Sequence, residues 1–468
     1  MNKLISKKYP WKYLSSGVAA LGLLLTSQTA RAGGDDGNNF FLKDGDNVCF
    51  YGDSITEQRF YGVDIETYVR TRFPGLHMKF VNSGVGGDKV NGGWAGRIDL
   101  RLERDVFPFK PNVVTIMLGM NDARYAPFND EYFSAYTNGY EHIIQSLQQH
   151  LPGVRIVLIE PSPYDDVTEP PKFSGGYNAV LERYSAFVRQ LASEHHLPCV
   201  DLNTPLVEVM KKMQAANPAL AHEVIPGRIH PSAAGELVMA QGILQAWNAP
   251  STVASVEIDA MKNSATHSEN TSVTDVKMEN GTLSWTQKDQ SLPFPVLALH
   301  EDWPQFPPTE GRSRTSFFWA APEPKWDYTN AATEMIVKDS GFYPALDNEP
   351  LKVSGLPPGN YQLRINGETI GEFSAPQLAD GVNLAEYHTP MLDQSYHVLH
   401  LVWKEVEWRY FAWREIQLRL SADHDPAVQK ATDQLVAALA EEEQDIVKEQ
   451  YAATQPRTAK YELIPATR

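Results

Sequence analysis

CFYGDSITEQR, residues 49–59, joins the end of a short apolar run to the start of a helix, and its reading decides the fold. Gly52 permits a tight turn, and Ser54 is left above a strand end, near a helix N-terminus. There its hydroxyl is exposed, and backbone N–H groups can face a developing negative charge. Gly-Asp-Ser alone also makes ordinary turns and N-caps. Its meaning rests on its surroundings.

Outward from that turn, apolar runs at Val48–Tyr51, Met78–Val81, Val113–Met117, Ile156–Ile159 and Cys199–Leu202 predict five strands buried on both faces. Between them lie helical segments. In Asp130–Leu151, Phe133, Tyr136, Tyr140, Ile143, Ile144 and Leu147 recur at spacings of three and four. Alternation of this kind over residues 46–248 predicts an α/β domain with a parallel sheet and helices on both faces. Its chemistry should sit where the strands end.

Near residue 250 the pattern changes. SVEIDAM, GTLSWTQ, LKVSGLPPGNYQLRINGETIGEF and HVLHLVW alternate apolar and polar residues between Gly, Asn and Pro. This predicts a smaller β-rich, sandwich-like domain over residues 251–420, rich in antiparallel strands. Within it, residues 301–330 are irregular and carry Trp303, Phe306, Phe317, Phe318, Trp319, Trp326 and Tyr328. Residues 425–452 read as a C-terminal amphipathic helix with Val428, Leu435, Val436, Leu439, Ile446 and Val447 on one stripe.

The 468 residues exceed one ordinary core, and 42% hydrophobic with 21% charged residues is globular composition. Residues 1–32 pair a basic start with the apolar VAALGLLL and end in Ala30-Arg31-Ala32, as a cleavable signal peptide does. Export to the periplasm or medium is expected, with no stable membrane insertion after cleavage. The formal charge is −17, and removing the five basic residues of that segment leaves 36 basic against 58 acidic, or −22. Such a surface repels a phosphate backbone, so nucleic acid is not an expected partner. Cys49 and Cys199 lie in apolar runs and read as free, buried thiols. No His-Glu-x-x-His or clustered Cys/His suggests a metal, and the glycine-rich 83–93 stretch lacks nucleotide-binding spacing.

Three further blocks follow the serine turn. NSGVGGD, residues 82–88, follows the second strand, LGMND, residues 118–122, the third, and IHP, residues 229–231, precedes the last helix of the domain. Together the four blocks resemble the SGNH/GDSL hydrolases, over a little under half the chain. The resemblance implies a three-layer, flavodoxin-like fold with a five-stranded parallel sheet and no cofactor or metal. It makes Ser54 the nucleophile and His230 the base. The Ser54 and Gly87 backbone N–H groups and the Asn121 amide would form the oxyanion hole.

One position departs from that pattern. Where the family carries Asp three residues before the histidine, this chain has Gly227. An aspartate there orients the imidazole, and its loss without replacement costs on the order of 10⁴ in turnover. A backbone carbonyl of the 224–228 loop, Glu223 or Glu236 could orient His230 instead, the carbonyl giving a Ser–His dyad. The expected activity is ester hydrolysis through an acyl-serine, most readily on O-acetylated carbohydrate; the substrate is a small-molecule or polysaccharide ester. A weakly catalytic glycan-binding scaffold and a secreted lipase or thioesterase are the alternatives. The oligomeric state is not set by these features.

Overall fold

The computed structural model describes residues 39–296 and 331–466. The expected signal segment and the aromatic stretch 301–330 lie outside the described residues.

Five parallel strands form the central sheet: β1 (Asn47–Gly52), β2 (Lys79–Asn82), β3 (Val113–Met117), β4 (Arg155–Ile159) and β5 (Cys199–Val200). Their order is 2-1-3-4-5. Val113–Met117 is buried along its whole length, as a strand covered by helices on both faces must be. The register sets Phe50 beside Asn82 and Gly52 beside Met117, so the loops after β1, β2 and β3 leave the sheet at one edge. β1 lies at the reversal of strand order, where α/β sheets open their ligand crevice.

Helix α1 (Ser54–Glu57) is a single turn, and α2 (Phe60–Arg72) follows directly. Every residue of α2 is buried. The cause is a second cover: α6 (Ala233–Ala246) and α7 (Pro390–Tyr410) both pack on it. Its two arginines are paired, Arg70 with Glu66 at 2.7 Å and Arg72 with Asp347 at 3.3 Å. Such pairs are costly to break from one side. On the sheet's other face, α4 (Asp130–His150) turns the hydroxyls of Tyr136 and Tyr140 onto the carbonyls of Leu118 and Ile116. Asn129 caps α4 by accepting from two first-turn N–H groups.

The β-rich part consists of two sheets. One is antiparallel and runs Thr271–Glu279, Thr282–Asp289, Ala459–Pro465, Asn360–Ile365, Glu368–Ser374 in spatial order. The other runs Val382–Asn383, Pro350–Ser354, Ser255–Asp259, Ser264–Glu269, and its middle pair is parallel. Val256, Ile258, Leu351 and Val353 from one sheet share a core with Leu283, Trp285, Leu363, Ile365, Tyr461 and Leu463 from the other. The parallel pair departs from the antiparallel expectation.

A second correction concerns HVLHLVW, which forms no strand. It lies inside α7, where Val398, Leu399, Leu401 and Val402 are all buried. After α7, a wide π-helical segment (Phe411–Gln417) continues the chain, and α8 (Pro426–Ala453) returns along α7. α8 buries Leu439 and Ile446 on that side, while Leu435 stays exposed. Buried Gln450 donates to the Leu401 carbonyl and to Glu405.

Candidate active site

The serine turn is built by close packing. A Cβ on Gly52 would stand 2.1 Å from Thr56 Oγ1 and 2.8 Å from the Met117 carbonyl, so only glycine fits. Asp53 caps α1, its carboxylate accepting from Ile55 N–H at 3.0 Å. Ser54 is then the first residue of that helix, half-buried, at its positive end. Asn82 ties the second loop to the same turn, donating to the Thr56 carbonyl at 2.6 Å and accepting from Gly84 N–H at 3.0 Å.

His230 meets the serine. Its Nε2 lies 2.8 Å from Ser54 Oγ. The loop that carries it is fixed at both ends. Arg228 reaches the Asp165 and Pro170 carbonyls at 3.2 and 3.0 Å and Glu169 at 2.5 Å. The Pro231 carbonyl accepts from Gln58, and Ser232 caps α6. Gly227 has φ 70° and ψ 18°, a left-handed conformation that favours glycine.

Neither carboxylate considered for orienting His230 is directed to it. Glu223 is a surface group paired with His222 at 2.8 Å. Glu236 is buried on α6, where it accepts from Tyr61 N–H at 2.9 Å. Burial holds the Glu236 carboxyl well above its ordinary range, with the Tyr61 bond opposing. Three carbonyls of the 224–228 loop already accept backbone bonds: Val224 from Ser232, Ile225 from Arg228, and Arg228 from Asp165.

Gly87 occupies the third position of a turn closed by Asp88 N–H on the Val85 carbonyl at 3.1 Å. Its φ of 78° is what a type II turn requires there. Open space lies beside its Cα. Asn121 stands nearby, but its Nδ2 is directed at Asp53 Oδ2 and the Asp88 carbonyl, at 3.2 and 3.1 Å. Its Oδ1 accepts from Tyr125 at 2.8 Å. Asp53 is buried, and burial pushes its carboxyl up to about 7 despite the Ile55 bond. Asp88, which closes the Gly87 turn, is paired through its carboxylate with buried Arg101 at 2.7 Å.

Four residues at this site are not singled out by sequence reasoning. Glu57, on the turn after Ser54, accepts from Gly86 N–H at 2.6 Å through Oε2. Its Oε1 accepts from the Tyr410 hydroxyl at 2.8 Å and from Arg414 Nε at 3.1 Å. Trp94 is 63% exposed, yet its Nε1 donates to the Gly86 carbonyl at 2.8 Å. The Arg414 guanidinium lies over the Trp94 ring, 4.2 Å from its centroid. The run EVEWRYFAWRE, residues 405–415, was the available signal, dense in aromatic and paired charged residues.

Residues 50–237 match the GDSL-like Lipase/Acylhydrolase family. An acetylxylan esterase from Geobacillus stearothermophilus is 31% identical over 221 residues, 43% of this chain and 93% of that protein. A structure described as a gut microbial diltiazem-metabolizing enzyme superposes with a TM-score of 0.73 at 24% identity, over 92% of this chain and 100% of that one. That likeness is one of fold, and it extends through the β-rich part and the C-terminal helices.

Proposed function

The chain belongs to the GDSL-like lipase/acylhydrolase family and is an ester hydrolase, and from that premise we propose that it works through an acyl-serine intermediate on Ser54. The observation that carries this reading is the 2.8 Å contact between His230 Nε2 and Ser54 Oγ at the start of α1. Nucleophile and base within hydrogen-bond reach are what such chemistry needs.

In the proposed reaction, Ser54 Oγ attacks the ester carbonyl carbon while His230 Nε2 takes the hydroxyl proton. Negative charge gathers on the carbonyl oxygen, which the Ser54 and Gly87 N–H groups and the Asn121 amide would hold. Asn121 reaches it by releasing one of its two long bonds, to Asp53 or to Asp88. The C–O bond to the leaving alcohol then breaks, and His230 returns the proton to that oxygen. Water, deprotonated by His230, attacks the acyl-serine, and the acid leaves with Ser54 restored.

The proposed substrate is an O-acetyl ester on carbohydrate, met outside the cytoplasm after removal of residues 1–32. The likeness to an acetylxylan esterase supports it. Among the described residues no helix is long and apolar enough to cross a membrane. A hydrolysis screen over acetylated xylan, other acetylated glycans and p-nitrophenyl esters of increasing chain length tests the reading, with Ser54→Ala as control. Preference for acetyl esters, lost in Ser54→Ala, is the expected result. Full activity in Ser54→Ala would refute the nucleophile, and a preference for long acyl chains would refute the substrate class.

A further inference from the structure

The peptide that joins Gly86 to Gly87 carries the Gly87 N–H on one side and the Gly86 carbonyl on the other. It is the central peptide of the Val85–Asp88 turn. Type I and type II turns differ chiefly by a near half-rotation of this peptide, which leaves the flanking residues almost in place. With glycine on both sides, nothing in the local chain opposes that rotation. A backbone donor here is therefore only as well aimed as its surroundings make it.

The surroundings hold this unit from two directions. Trp94 Nε1 donates to the Gly86 carbonyl at 2.8 Å, and in a trans peptide this turns the Gly87 N–H the opposite way. The same bond polarises the peptide and strengthens its N–H as a donor. The preceding N–H, of Gly86, is held by Glu57 at 2.6 Å. A Cβ on Gly86 would come within 3.8 Å of Ser54 Cβ, so this unit lies against the serine.

Both holding groups depend on the C-terminal helical segment. Arg414 covers the Trp94 ring and also donates to Glu57, while Tyr410 donates to the same Glu57 oxygen. Arg414 is 16% exposed and Glu57 5%, so their contact is shielded from water. Trp413 fixes the segment from below, donating to buried Asp105 at 2.8 Å. Val85 and Ala95 share a small apolar cluster with Tyr410 and Trp413, which seats the glycine loop on the segment.

We propose that Trp94 and Arg414 are positioning residues for ester hydrolysis: through the Gly86 carbonyl and Glu57 they aim the Gly87 N–H at the oxyanion. The inference rests on the acyl-serine reading above. It places part of the catalytic support outside residues 50–237, in a segment that the family match does not cover.

The test compares Trp94→Phe and Arg414→Gln with wild type, using p-nitrophenyl acetate and a small alkylboronic acid that forms a tetrahedral adduct on the serine. Trp94→Phe keeps an aromatic ring for Arg414 to cover and removes the indole N–H that holds the Gly86 carbonyl. Removing an oxyanion donor outright costs about 10²–10³ in kcat, so a donor left present but unaimed should cost about tenfold. The expected result is a fall in kcat of that size with KM little changed, an equal weakening of boronic acid inhibition, and an unaltered Tm for Trp94→Phe. Wild-type kcat in Trp94→Phe, or an effect confined to KM, overturns the proposal whatever Arg414→Gln does. Ser54→Ala separates the two readings: activity surviving there would defeat the acyl-serine mechanism, whereas its loss alongside a fully active Trp94→Phe would defeat only the positioning role.

Discussion

Gly84→Ala is the most demanding test of how the second loop seats the serine turn. A Cβ at residue 84 would stand 2.4 Å from Glu57 N, 2.7 Å from Thr56 C and 2.8 Å from Thr56 Cβ. Ordinary contacts of such atoms begin near 3.5 Å, so the two backbones must separate by about 1 Å. Neither side is a flexible side chain: one is the glycine loop and the other is α1, which begins at Ser54. Overpacking of this kind costs about 1–3 kcal/mol. At roughly 2–4 °C per kcal/mol for a domain of this size, Tm should fall by several degrees. A displacement of about 1 Å between nucleophile and oxyanion donor costs on the order of 10² in rate, or about 2.7 kcal/mol of barrier. The assay is kcat with p-nitrophenyl acetate beside a calorimetric Tm. Gly75→Ala is the control, since nothing lies within 4 Å of its Cβ. Wild-type kcat and Tm in Gly84→Ala would refute the packing argument outright.

Stability should also depend on pH in a stated direction. Burial pushes Asp53, Asp122 and Asp347 each up to about 7, against about 3.9 in an unfolded chain. Between about pH 4 and 7 the folded chain keeps protons that the unfolded chain has released. The contribution of these groups to stability therefore falls as pH rises through that window and levels off above it. Asp122→Asn should make Tm fall less steeply between pH 4 and 7, and an unchanged slope counts against the buried acid. The thiols of Cys49 and Cys199 are both pushed up to about 12, chiefly by burial. Iodoacetamide at pH 8 should leave the native chain unlabelled and modify both residues after denaturation, as mass spectrometry would show; rapid native labelling of Cys49 contradicts its burial.

The parallel sheet was legible because strands buried on both faces leave unbroken apolar runs, and β3 matches its expected bounds residue for residue. The four loop blocks were legible because each follows a strand or precedes a helix in one half of the chain. HVLHLVW misled because Leu399, Leu401 and Trp403 alternate along it, while Val398, Leu399, Leu401 and Val402 recur at helical spacings of three and four in the same window. The better signal stood upstream, where Thr389 caps a helix that opens with Pro390. The glycine-loop support was not legible at all. Glu57 and Tyr410 are 353 residues apart, and nothing local to either names the other. Spacing alone leaves both Glu223 and Glu236 as possible partners for His230, Glu223 ahead of Glu236. Only the fold shows that one faces solvent and the other supports α2.

The strand Ala459–Pro465 forms the middle of the antiparallel sheet, yet it follows Thr282–Asp289, its neighbour there, by roughly 170 residues. At ribosomal rates of about 5–20 residues per second, that neighbour waits roughly 10–30 s for its partner. Until then the nascent chain holds two hairpins with unpaired edges, a form open to wrong pairing and to chaperones. The sheet around Ser54 can assemble first, while the helical segment bearing Arg414 emerges only shortly before the closing strand. A premature stop ahead of residue 459 would leave the α/β layer complete in sequence but the second sheet split down its centre, exposing Leu283 and Leu363 to quality-control proteases.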